Sequence, residues 1–294
     1  MEYLSSAMAL AAGPFTPRAE DGDEPLVRQV IGLVRDRTGT DFSGYRRSTI
    51  LRRIRNRMIC LGITSLDSYV RLLQRRPDEA PALIERLTIK VSRFYRNVRT
   101  FDFLRDEVLP VLARNRAGKP VRVWSAGCGR GEEAWTLALL LERARIAGHV
   151  QATDIDPCSL RDAERGVYGA EVLADLPADL AENHLEAQTG GRRMSYRVRD
   201  LPRRRVRFSL HDLTGPARFC ADASFDLVCC RNVLIYLEPQ AQLSALVALR
   251  AAVADNGYLC LGEAEWPLAP VSHSLRALGR KTHVFRACVA GTTP

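Results

Sequence analysis

No apolar run in this 294-residue chain approaches the ~18 residues needed to cross a bilayer, which argues against membrane insertion. The apolar patch at 8–12 has no basic residues ahead of it. Glu2 stands there instead, so a secretory signal is not expected. Cysteine occurs eight times, yet there is no C-x-x-C pair and no Cys/His metal spacing, and Cys229 and Cys230 are adjacent inside an apolar run. This usage fits reduced, buried thiols of a cytoplasmic protein and offers no metal site. Two nucleotide signatures are also missing. The glycines near position 130 are not spaced G-x-G-x-x-G, and no Lys-Ser/Thr follows them as a phosphate loop requires.

The remaining composition is that of an ordinary globular protein, 46% hydrophobic and 26% charged, with enough chain for one large domain and a small one. Its charge is unevenly placed. Residues 27–76 carry twelve arginines against three acids (Asp36, Asp41 and Asp67), which equals the whole net charge of +9. A basic field concentrated in one segment points to an acidic partner surface.

The most informative stretch is 121–133. A short apolar, β-type run ends in Gly127, Gly129 and Gly131, and a helical pattern then opens with Glu132 and Glu133. Glycine lets a ligand approach the main chain at such a turn. Two glutamates suit a helix start but would repel a pyrophosphate. A ligand carrying positive charge fits better, and S-adenosylmethionine, with its sulfonium and amino group, is one.

Along the chain, residues 1–25 are rich in Ala, Gly, Pro and acids and are expected to form a disordered tail. A helical domain is expected over 26–100, with helices at 27–34, 45–61, 65–74 (Ser65 as N-cap) and 80–87, and a connecting helix over 101–115 within a linker spanning 101–120. From 121 to 290 strand and helix patterns alternate: strands at 121–125, 149–155, 205–210, 225–230, 258–262 and 282–288, helices at 132–147, 239–254 and up to Arg165. This alternation predicts an α/β fold, a doubly wound and mostly parallel sheet with ligands at the carboxyl ends of its strands. The stretch 175–204 interrupts it, and Gly190 with Gly191 is placed to turn a hairpin in a small β insert.

Candidate site residues follow from this layout. Asp154 ends the second strand, where an acid accepts hydrogen bonds from ribose hydroxyls, while Asp156 before Pro157 reads as a helix N-cap. Asp212 follows the third strand and serves equally as an adenine-side residue or a turn residue. Arg231, Asn232 and Tyr236 follow the fourth strand at the mouth of the sheet. No Pro-Pro-aromatic cluster stands there to grip a flipped base, and the one Pro-Cys pair, Pro157–Cys158, lies after the second strand. On the helix at 45–61, Arg46, Arg53 and Arg57 fall within an arc of roughly 40°, apart from an apolar stripe of Leu51, Ile54 and Met58. The arginine arc reads as a docking face or as a solvated one.

Taken in order, the run 87–96 ending Ser92, Arg93, Phe94, Tyr95, Arg96, the run 124–136, the run 153–156 and the run 230–236 resemble the chemotaxis receptor glutamate methyltransferases, the CheR family. The resemblance extends over nearly the whole chain after the tail. The family usually has Asn, Thr and a second Phe where this chain has Lys90, Ser92 and Tyr95, and many members have Gly-His-Ser-Glu where Gly262, Glu263, Ala264 and Glu265 stand. The resemblance implies a Rossmann-like S-adenosylmethionine-binding domain. Cofactor contacts are expected from Ser92, Arg96, Gly127, Glu132, Asp154, Asp212, Leu213, Arg231 and Asn232. Tyr236 is expected beside the transferring methyl together with an arginine of the connecting helix, for which Arg114 is the choice. Arg46, Arg53 and Arg57 are expected to face the substrate, a methyl-accepting receptor or receptor-like protein, with S-adenosylhomocysteine as product. A monomer that binds no nucleic acid is expected. Two other readings stay open: a methyltransferase of another substrate, and a non-catalytic cofactor sensor or scaffold.

Overall fold

The computed structural model describes residues 23–88, 91–188, 194–215 and 225–288. The expected tail up to residue 22, Ile89 and Lys90, and the Gly190–Gly191 turn lie outside the described residues.

Four helices build the amino-terminal domain: α1 (Asp23–Thr38), α2 (Arg47–Cys60), α3 (Leu66–Arg75) and α4 (Glu79–Leu87). Their apolar stripes meet in a core of its own, centred on Val30, Ile50, Ile54, Tyr69, Leu73 and Leu83. Ser65 caps α3, its Oγ accepting from Ser68 N at 3.3 Å. Inside this core the Arg57 guanidinium donates both to Glu79 Oε1 (2.8 Å) and to Oε2 (2.7 Å), and Tyr69 OH donates to Oε1 at 2.8 Å. Burial alone would raise the Glu79 carboxyl, but the bonds from Arg57 and Tyr69 outweigh it and hold it below the usual range.

The expected single connecting helix is longer and interrupted. It runs as α5 (Val98–Phe103), a π-turn (Leu104–Val108) and α6 (Leu109–Arg116). Pro110 has no N–H to return to the carbonyl four residues back, which accounts for the local change of pitch.

The second domain comprises β1 (Val121–Ala126), α7 (Glu132–Arg143), β2 (Gly148–Asp154), α8 (Pro157–Arg165), β3 (Val167–Gly169), α9 (Ala178–His184), β4 (Leu185–Gln188), β5 (Ser195–Val198), α10 (Asp200–Arg203), β6 (Val206–Leu210), β7 (Phe225–Cys230), α11 (Pro239–Ala252), β8 (Val253–Leu261), β9 (Leu275–Leu278) and β10 (Val284–Ala287). Seven strands form one sheet in the order β6-β2-β1-β7-β8-β10-β9. The first five are parallel and β10 runs antiparallel to both its neighbours, so the doubly wound, mostly parallel sheet is as expected. β9 was not expected. Its sequence, Leu-Arg-Ala-Leu, is a short edge strand of weak β-propensity with little alternation to read. The small insert is a three-stranded antiparallel sheet, β3-β5-β4, and it begins before residue 175 because β3 joins it.

Side chains alternate across the main sheet. Val123, Val150, Leu227 and Cys229 join the core under α7, while Trp124, Val228, Cys230 and Leu259 join the core under α11. The adjacent Cys229 and Cys230 therefore face opposite layers, and every cysteine among the described residues is a free thiol. No helix among the described residues is long and apolar enough to cross a membrane.

Candidate active site

The switch in strand order at β1 opens a crevice between β1, β2 and β7 at their carboxyl ends, the place where open α/β sheets take ligands. The loop after β1 shapes its floor. Gly127, Gly129 and Gly131 have φ of +73°, +56° and +93°, a region that side chains rarely adopt. At Gly127 space also forbids a side chain, since a Cβ would meet Val233 Cγ2 at 2.4 Å. Gly127 N and Cys128 N both donate to Thr153 O, at 2.8 and 2.9 Å, which folds the loop over the end of β2 and brings Gly129 N to Asp154 Oδ2 at 2.7 Å. The other Asp154 oxygen accepts from Asp156 N at 2.9 Å. Burial pushes the Asp154 carboxyl above the usual carboxylate range.

The cleft above this floor is open to solvent, and the space within and before it, solvent included, is about 1270 Å³. Ser92 and Arg96 line it from the interdomain segment, Gly127 and Asp154 from the first two strand ends. Leu213, Arg231, Asn232 and Tyr236 line it from the loops after β6 and β7. These eight expected residues thus converge on one site. Arg231 is buried and organises the approach. Its guanidinium donates to Arg96 O (2.7 Å) and Asn97 Oδ1, and it lies over the Phe101 ring at 4.9 Å. Tyr95 and Asn97, on either side of Arg96, have φ of +57° and +67°, so Arg96 is presented from a sharply folded backbone.

Glu132 is not at the cleft. It is 1% exposed, is not among the residues that line the cleft, lies within electrostatic reach of Arg130 and Asp162, and its Oε2 has no hydrogen-bond partner among the described residues. Glu133 lines the cleft instead, accepting from Ser125 Oγ at 2.7 Å and pairing with Arg231 at 3.4 Å. Burial pushes its carboxyl up, with Arg231 opposing. Successive helix residues point about 100° apart, so one of the pair had to turn inward, and spacing did not say which. Asp212 is a turn residue. Its Oδ1 accepts from Thr214 N (2.8 Å) and Oγ1 (2.7 Å), and it borders an adjoining hollow with His211 and Ile155. Arg114 is at the wrong end of the sheet. It is exposed near the end of α6, two residues before Arg116, which pairs with Asp226 at the start of β7. Three arginines share the cleft with Tyr236: Arg93, paired with Asp175 at 2.9 Å, the engaged Arg231, and Arg96.

The arginine arc on α2 divides likewise. Arg57 is locked in the Glu79 network and is no docking residue. Arg53 is half-buried, donates to Arg86 O at 2.9 Å, and burial followed by the charge of Arg52 lowers its pKa, with Tyr236 opposing. Arg46 is exposed at the domain seam, its Nε donating to Leu237 O at 3.1 Å and its N to Tyr236 O at 2.8 Å. Besides Glu133, a further contributor went unread in the sequence: Tyr45, beside that seam, lines the cleft. Burial, then the charges of Asp154 and Asp212, pushes its phenol well up. A tyrosine preceding a helix carries no motif that marks it as a ligand contact.

The donor set fits S-adenosylmethionine. Two carboxylates, the buried Asp154 and the partly buried Glu133, line a glycine-floored cleft, suited to hydroxyl groups and to positive charge. A family model described as "CheR methyltransferase, SAM binding domain" matches residues 90–276, and one described as "CheR methyltransferase, all-alpha domain" matches residues 26–88. A chemotaxis protein methyltransferase of Listeria monocytogenes is 31% identical, over 84% of this chain and 92% of its own length. A probable biofilm formation methyltransferase, WspC, of Pseudomonas putida is 31% identical over 80% of this chain and 55% of its own length. An uncharacterized 104.1 kDa protein of Rhodobacter capsulatus is 33% identical over 93% of this chain, which spans 29% of that protein.

Proposed function

The chain belongs to the CheR methyltransferase family, and from that premise we propose that it methylates glutamate side chains of a chemotaxis-type receptor, giving methyl esters. Its cofactor is S-adenosylmethionine, which when bound supplies an electrophilic methyl group. The observation that carries the glutamate reading is that Arg96, whose guanidinium donates to Val91 O at 3.1 Å, and Tyr236 line one cleft with two carboxylates. A cation there suits an acceptor that is itself an anion, whereas an amine acceptor would be repelled.

In this reading Asp154 accepts from the ribose hydroxyls and Glu133 faces the cofactor's amino group. Arg96 takes the role expected of Arg114, holding the non-attacking oxygen of the acceptor carboxylate, and Tyr236 aims the attacking one. A carboxylate is already ionised at neutral pH, so no general base is needed. The C–S bond breaks as the C–O bond forms, no proton moves, and a sulfonium and a carboxylate become two neutral products. Charge is lost along the reaction, so a cleft that excludes water and aligns the reactants favours it. The exposed cations of the helical domain, Arg46 and Arg52 among them, face an acidic receptor surface.

The test is transfer of labelled methyl to a purified receptor signalling domain, followed by mild base. Label released as volatile methanol is expected. Stable label would point to an N- or S-methyl product, and no transfer despite S-adenosylhomocysteine binding would point to another substrate or to a sensor.

A further inference from the structure

One buried charge takes no part in the chemistry above. Glu265, in the stretch that follows β8, is 1% exposed, and none of the ion pairs among the described residues involves it. Its carboxylate is instead wrapped in backbone N–H groups. Oε2 accepts from Gly262 N at 2.7 Å and Asn232 N at 2.8 Å; Oε1 accepts from Val233 N and Leu234 N, both at 2.8 Å, with Ile235 N further off at 3.4 Å. Such concentric donors form an anion nest, and charge-assisted bonds of this length are the strong ones.

We infer that Glu265 is a positioning residue for methyl transfer, its carboxylate fixing the loop that carries Asn232 and Tyr236 into the cofactor cleft. Three observations converge on that loop. Asn232 has a φ of +61°, in the left-handed region that a non-glycine residue adopts at a cost. The turn Leu234–Tyr236 follows directly, and its first N–H groups have no helical partners of their own, so the carboxylate supplies them. Tyr236 then meets the helical domain through Arg46 N. The space is cut to fit: a Cβ at Gly262 would lie 2.6 Å from Glu265 Oε2 and 2.7 Å from Asn232 N, so only glycine lets the acid reach its donors. Glutamine, equal in size, would turn an NH₂ against N–H groups and lose the bonds on one side.

The inference rests on the cofactor cleft and not on the identity of the acceptor, so its test uses S-adenosylhomocysteine alone. In Glu265→Gln, amide exchange at 232–235 is expected to quicken at least tenfold while that of β7 is unchanged. Affinity for S-adenosylhomocysteine is expected to fall about tenfold. In an Asn232→Ala background the same change is expected to cost less than twofold, because the group being positioned is already gone. A purely structural glutamate would lower the melting temperature and leave the affinity of the folded protein intact. That result, or full additivity with Asn232→Ala, overturns the inference. If Glu265→Gln does not fold, Gly262→Ala displaces the carboxylate and enters the same double-mutant cycle: non-additivity with Asn232→Ala supports the inference, and additivity overturns it. A receptor that fails to accept methyl would refute the glutamate reading and leave this measurement standing.

Discussion

Arg53 and Arg57 stand one helical turn apart on α2 and do different work. Arg57 closes a buried pair with a 3%-exposed Glu79 side chain, so Arg57→Ala leaves an uncompensated carboxylate inside the helical domain. A loss of about 3 kcal/mol in urea unfolding is expected. Because the folded state holds Glu79 below its ordinary range, this pair contributes stability above the unfolded glutamate value. That contribution is lost as pH falls through the depressed one. Arg57→Ala should flatten that acid limb of the stability profile. Asp154 has the opposite sign. Burial raises it, so the ionised form, to which the proposed function gives the ribose hydroxyls, is lost at a higher pH than for an ordinary aspartate. Calorimetric S-adenosylhomocysteine affinity should therefore fall on mild acidification, and Asp154→Asn should abolish that dependence while weakening binding throughout. Asp154 and Gly127 were legible in the sequence because strand end and glycine spacing are local facts. The choice between Glu132 and Glu133 was not, since both suit a helix start and only packing against Arg231 and α8 separates them. The role of Arg57 was hidden because its partner is brought in by another helix, 22 residues along the chain.

At the scale of elements, the loop from Arg231 to Tyr236 concentrates the chemistry. It ends a fully buried strand, so its starting point is rigid, and its side chains reach the cleft from there. Tyr236→Phe keeps the ring and removes one hydroxyl. Single-turnover measurements should show transfer slowed about tenfold, or ~1.4 kcal/mol, with S-adenosylhomocysteine affinity changed less than twofold. Equal losses in both would make Tyr236 a cofactor contact instead. Elements with strong periodicity, such as β1, β7 and α11, were readable to within a few residues. The π-turn before α6 and the strands β3 and β9 were not, because each is set by a neighbour: a proline's missing donor, or a strand edge already in place.

For the whole molecule, charge and connectivity matter more than any one contact. The arginine excess falls in the helical domain, and part of it, such as Arg52, is exposed without a carboxylate partner among the described residues. Docking to an acidic receptor should weaken as salt rises. Arg52→Glu should raise KM for the receptor about fivefold at low ionic strength, with kcat unchanged and the difference fading toward ~0.5 M salt, where the Debye length falls below the reach of such contacts.

The short antiparallel bridge between Tyr45 and Leu237 has a consequence for ancestry. Backbone bonds at that bridge join the first domain to the loop that ends in Tyr236, and Tyr45 closes one wall of the cleft. A helical domain borrowed from a distant relative would have to bring a matching backbone register and a matching aromatic wall at once. The two halves are therefore expected to descend together, their histories following one tree, while whatever is fused before or after them changes freely.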